Sequence, residues 1–111
     1  MDTVEETIQK RVFPTKRDAV RTAVRIAESD PRIKRLFIFG SAVTDRCGAS
    51  SDLDISLDVP DVDEDTFGRI ARAFWLGIEG EVDIVRWNSI RSASLKREIE
   101  SKGVELYARS S

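Results

Sequence analysis

Carboxylates at alternate positions of an apolar run are the residues here best suited to chemistry. In Asp52-Leu53-Asp54-Ile55-Ser56-Leu57-Asp58-Val59 the acids alternate with leucine, isoleucine and valine. Side chains of a β-strand point alternately to its two faces, so Asp52 and Asp54 project together. Their Cβ atoms then stand about 6–7 Å apart. From there their oxygens can converge on one or two hard cations such as Mg²⁺, which fills the rest of its shell with phosphate oxygens. Without a cation, two ionised carboxylates at a half-buried site repel, and one tends to take up a proton. Asp83, in Val82-Asp83-Ile84-Val85, is another carboxylate between apolar neighbours. If its strand pairs beside residues 52–59, three acids meet at one end of a sheet, which suits a two-metal clamp for phosphoryl or nucleotidyl transfer. Upstream, Gly40-Ser41 closes the run Arg35-Leu36-Phe37-Ile38-Phe39. Glycine admits close approach of the backbone to a ligand, and a hydroxyl with amide N–H groups at a strand-to-helix turn can receive phosphate oxygens.

Other polar and aromatic residues have plainer readings. Glu81 shares a face with Asp83 and is its rival as third acid, but the apolar neighbours of Asp83 place that residue inside the strand. Asp58 lies at the far end of its strand, beside Pro60, and reads as solvent-facing. Cys47 and Arg46 fall in a small, polar stretch and read as an incidental thiol and a solvated cation. Phe67, Phe74 and Trp75 read as core or partner surface, and Trp87 as packing at a strand end rather than a platform for a base.

The elements that must position these acids are legible from periodicity. Thr3-x-x-Glu6 has the form of a capping box and opens a first helix, stopped before Pro14. Thr15-x-x-Asp18 predicts a second helix start, with Val20, Ala23, Val24 and Ala27 at helical spacing and Ser29-Asp30-Pro31 as the stop. Strands are expected over Arg35–Ser41, Asp52–Val59 and Glu81–Trp87. Acids from Asp61 to Asp65 favour a helix N-terminus, and Phe67, Ile70, Ala71, Phe74 and Ile78 form its apolar stripe, ended by Gly80. A last helix spans about Ser92 to Lys102 and stops at Gly103, with Val104–Ala108 as a short edge strand. The fold class is therefore α/β (α+β), a small mixed sheet of three to four strands flanked by helices.

The 111 residues suffice for a single domain over 1–111 with one core. With 34% charged and 41% hydrophobic residues the composition is that of a globular chain, not a disordered one. No apolar stretch reaches the roughly 18 residues of a membrane span, and the acidic N-terminus does not resemble a signal peptide. One cysteine forms no intrachain disulfide, and a cytoplasmic location is expected. A net charge of −2 argues against direct nucleic-acid binding. The absence of histidine removes His–Cys zinc sites, Ser-His-Asp triads and imidazole bases together.

Gly40-Ser41, then a polar interval, Asp52-x-Asp54, and the apolar strand bearing Asp83 resemble the nucleotidyltransferase superfamily that includes DNA polymerase beta and the aminoglycoside nucleotidyltransferases. The resemblance runs from about Leu36 to Val85. The chain's size is most similar to the minimal nucleotidyltransferases, antitoxins of modules whose partner is an all-helical HEPN ribonuclease toxin. That resemblance implies that Gly40 and Ser41 bind nucleotide phosphates and that Asp52 and Asp54 hold Mg²⁺. It implies too that Asp83 completes the metal site and helps activate the acceptor hydroxyl. It further implies transfer of AMP from ATP to a toxin tyrosine and a hetero-oligomer with that toxin. Fuller family motifs carry a further glycine where Asp45 stands, with Gly48 three residues later. Two other readings stay open: an antitoxin that neutralises its toxin by contact alone, and transfer to a small molecule such as an aminoglycoside.

Overall fold

The computed structural model describes residues 3–43 and 52–109. Asp45, Arg46, Cys47 and Gly48 lie outside them. The sequence folds as α1 (Val4–Arg11), a 3-10 turn (Pro14–Lys16), α2 (Arg17–Ser29), β1 (Arg35–Phe39) and a second 3-10 turn (Gly40–Val43). These are followed by β2 (Leu53–Asp58), α3 (Glu64–Gly77), β3 (Val82–Arg86), a short turn (Trp87–Ser89), α4 (Ala93–Lys102) and β4 (Val104–Ala108). The sheet order is β3-β2-β1-β4. β1 runs antiparallel to both β2 and β4, whereas β3 lies parallel to β2. The sheet is mixed, has four strands and matches the class expected. No helix among the described residues is long and apolar enough to cross a membrane.

The period of two in each strand divides the sheet into two unequal faces. Leu36, Ile38, Leu53, Ile55, Leu57, Val104 and Leu106 point to one face, where Ile8 of α1, Val20, Val24 and Ala27 of α2, and Phe67, Ile70 and Phe74 of α3 cover them. Each such side chain contributes about 1.5–3 kcal/mol by leaving water, so this face is the main stabilising core. The other face carries a smaller cluster of Phe37, Phe39 and Ile99, with Val85, Trp87, Ile90 and Leu95 against it. Among the described residues α4 is the one helix of more than a turn that packs there, which leaves room for polar groups at the ends of the strands.

The caps follow the sequence at three helices and depart from it at one. Thr3 and Glu6 form the reciprocal capping box at α1. Asp63 caps α3 by accepting from the Thr66 amide at 2.8 Å. Ser92 caps α4 by accepting from the Leu95 amide at 3.2 Å. At α2 the expected Thr15 cap does not form. Pro14, preset for a helical turn, draws Thr15 into the 3-10 segment, so its backbone is not in the extended shape a capping residue needs. Arg17 instead ties the junction, donating to Val12 O at 3.0 Å and Gln9 O at 2.9 Å.

Two further side chains fix the strand ends. Arg86 donates to Val59 O at 2.6 Å and Val62 O at 2.7 Å, and pairs with Glu64 at 3.0 Å, clamping the β2–α3 connection onto β3. Asp58 is not solvent-facing as its place beside Pro60 suggested. It pairs with Arg35 at 2.7 Å and accepts from Asn88 Nδ2 at 2.9 Å. The reason is register: Asp58 lies opposite Arg35 across the β1–β2 pair.

Candidate active site

Strand pairing assembles the acids from different parts of the chain. In the parallel β2–β3 pair Asp54 lies opposite Asp83, so their side chains rise from the same face on strands about 4.8 Å apart. On the other side of β2, Asp54 lies opposite Phe39, which brings the next residue, Gly40, to the same end of the sheet. Asp52 sits on the exposed lead-in to β2, one residue before the strand begins. Glu81, the rival acid, is exposed just before β3, and its carbonyl accepts from the Leu53 amide at 3.0 Å. The structure thus brings Asp54 and Asp83 side by side and leaves Asp52 flanking them.

Gly40 shows why this position needs glycine. Its φ is +73°, a backbone shape that side chains disfavour, and a Cβ there would collide with Asp54 Oδ2. The first residue of the turn after β1 therefore packs its bare backbone against the carboxylate. Ser41 follows in the same 3-10 turn and is partly exposed. The turn is anchored from the far side by the Phe13 amide, which donates to Ala42 O at 2.8 Å.

Among the described residues the charge of this corner is uncompensated. Asp54 is half-buried, and its pKa is raised above the usual carboxylate value. Burial is the largest cause, followed by the charges of Asp83, Asp52 and Glu98. Among the described residues no Lys or Arg forms an ion pair with Asp52, Asp54 or Asp83. A carboxylate raised by burial and by acid neighbours, with no basic partner among the described residues, is what a hard divalent cation relieves, so the donor set fits Mg²⁺. Among the described residues no group of three acids stands in a geometry that could already hold a metal ion. Glu98, on α4, escaped the sequence reading. It is an exposed helix position with no local signature, and only the docking of α4 beside β1 brings its charge to bear on Asp54.

Trp87 takes no part in this corner. It stacks on Phe37 with ring centroids 5.2 Å apart, and Arg35 and Lys96 lie 5.3 and 5.0 Å from its ring centre. Phe67 and Phe74 are core residues, whereas Trp75 is exposed.

Residues 22–111 match the family described as polymerase beta, nucleotidyltransferase. The chain belongs to this family. Solved structures agree in fold. A toxin–antitoxin structure with AMP-PNP is 21% identical over 80% of this chain and 73% of that one, with a TM-score of 0.66. The tri-AMPylated HEPN toxin of Shewanella oneidensis in complex with its MNT antitoxin gives 20% identity over 85% and 73%, with a TM-score of 0.62. An MntA–HepT toxin–antitoxin structure gives 19% over 82% and 71%, with a TM-score of 0.60. No curated protein matches the chain in sequence. In this nucleotidyltransferase domain the Asp54–Asp83 pair and the Gly40 turn occupy one corner of the sheet, on the face that α4 only partly covers.

Proposed function

We propose that this domain is a Mg²⁺-dependent adenylyltransferase that moves AMP from ATP to a tyrosine hydroxyl of a HEPN toxin in the cytoplasm. The observation that carries the reading is the in-register Asp54–Asp83 pair packed against the Gly40 backbone, in a chain of the nucleotidyltransferase family. In this reading Asp52, Asp54 and Asp83 hold the metal, and Gly40 and Ser41 receive the phosphates. The bound cation supplies positive charge that stabilises the attacking and leaving oxygens of an in-line displacement. The acceptor oxygen forms a bond to the α-phosphorus, and the bond to the β-phosphate oxygen breaks. Pyrophosphate leaves with its electron pair, and the hydroxyl proton passes to Asp83 and then to solvent. The AMP-PNP and AMPylated-toxin complexes of the structural neighbours support ATP and a HEPN toxin as partners.

The experiment is direct. The purified chain, ATP, Mg²⁺ and a HEPN-domain protein from the same genome are mixed, and the partner's intact mass is followed. A gain of one or more AMP units is expected. Asp54→Asn should slow transfer by roughly 10²–10³-fold, as loss of a principal electrostatic stabiliser does. Full activity in that variant refutes the assignment. That the neighbours are protein–protein complexes favours a second reading, neutralisation by contact. Protection of cells by the Asp52/Asp54 double variant would establish it.

A further inference from the structure

Trp75 and Leu76, near the C-terminal end of α3, are 52% and 76% exposed. The fold does not use them as core, yet Trp75 is fixed in place. Its Nε1 donates to Val82 O at 3.1 Å, which lays the indole along the open edge of β3. Val82 pairs with Leu53 and immediately precedes Asp83. The apolar pair therefore stands round the β3 edge from the acidic corner, at the same end of the sheet.

Charge and hydrogen bonding narrow what can sit there. Arg72 lies three and four residues before Trp75 and Leu76, hence beside both on the helix surface. Among the described residues it makes no ion pair. The Trp75 bond to Val82 O occupies an acceptor that an added β-strand would need, so an occupant engages side chains rather than the strand edge. Tryptophan and arginine are enriched among the few anchors that carry most of an interface's energy, and Leu76 extends the apolar surface beside them. An occupant that also reaches Asp83 must be a macromolecule large enough to turn the β3 edge.

We infer that the Trp75–Leu76 face of α3 docks the protein acceptor, through side chains that place an apolar group on these two residues and a carboxylate against Arg72. The inference rests on the proposed transfer to a protein hydroxyl, and it assigns the surface that presents that hydroxyl to Asp83. A second copy of this chain on the same face would instead shield the β3 edge and close the acceptor's approach.

The test uses a HEPN-domain protein from the same genome as probe and calorimetric titration as readout. Leu76→Asp and Arg72→Glu should each weaken the complex at least tenfold, with melting temperatures unchanged because both side chains are exposed. Asp54→Asn should bind as the wild type does. Wild-type affinity in both surface variants overturns the inference, as does failure of the wild-type chain to bind the probe. So does a wild-type dimer in sedimentation that Leu76→Asp dissociates. The catalytic reading fails separately: Leu76-dependent binding with no mass gain on the partner faults adenylylation alone. Undiminished adenylylation in both surface variants faults the docking face alone.

Discussion

At the scale of the residue, one alternating pattern in the sequence has three physical outcomes. Asp54, Ser56 and Asp58 point to the same face of β2. Asp58 is neutralised by Arg35, and Ser56 is fully buried with no partner for its hydroxyl among the described residues. Asp54 alone is surrounded by like charge. Its raised pKa means that the ionised form opposes folding. The stability associated with this group is complete below the usual value of 3.8 and lost as pH rises through the raised native value. Replacing Asp54 with Asn removes that opposition. In metal-free buffer at pH 7 the Asp54→Asn variant should therefore melt at a higher temperature than the wild type, and the difference should fade as pH falls toward 3.8. Added Mg²⁺ should raise the melting temperature of the wild type and not of the variant. A wild type that melts above the variant without metal would show that Asp54 is a structural acid, not one held ready for a cation. Stability given up at a functional position is a common pattern.

At the scale of the element, α1 buries a single side chain, and its attachment depends on charge. Only Ile8 of α1 is buried, and the Glu5 carboxylate accepts from Arg21 Nε at 2.9 Å and Nη2 at 2.7 Å, tying α1 to α2. The Arg21 side chain holds the Glu5 pKa down to about 2 from 4.5. A lowered carboxylate pKa contributes stability that is present above 4.5 and lost as pH falls toward about 2. Thermal melts of Glu5→Gln should thus lie below the wild type at pH 7 and converge with it across that acid range, and the gap should shrink in high salt because the pair is at the surface. A gap independent of pH would mean that the variant disturbs packing instead. The elements themselves were largely legible: the capping box of α1, the apolar run of β1, the period of two in β2, and the stripe of α3 each state their structure locally. The start of α2 was not, because Pro14 and Arg17 act through a turn and through the end of α1. The candidate site divides the same way. The Gly-Ser turn and three aspartates are visible as a pattern, whereas the role of Glu98 and the pairing of Asp58 depend on which elements become neighbours.

At the scale of the whole molecule, the two faces of the sheet should differ in cooperativity. β1 and β2 are the inner strands, covered on one face by three helices. α4 is held to the other face by the smaller group around Phe37, Phe39 and Ile99. Opening α4 exposes little of the main core, so it can occur below the free energy of global unfolding, as peripheral units commonly do. Native-state hydrogen exchange should then show the amides of Leu36–Phe39 and Ile55–Leu57 exchanging only by global unfolding, with those of α4 exchanging sooner. Ile99 is fully buried, and Ile99→Ala should cost about 2–5 kcal/mol at that contact. Exchange in α4 should accelerate more than exchange in β1 and β2. Equal acceleration throughout would show that α4 opens only with the whole domain. The outcome bears on the chemistry as well, since the helix that carries Glu98 sets part of the negative field at Asp54. A helix that opens alone can admit a nucleotide to that corner without loosening the strands that hold Asp54 and Asp83 in register.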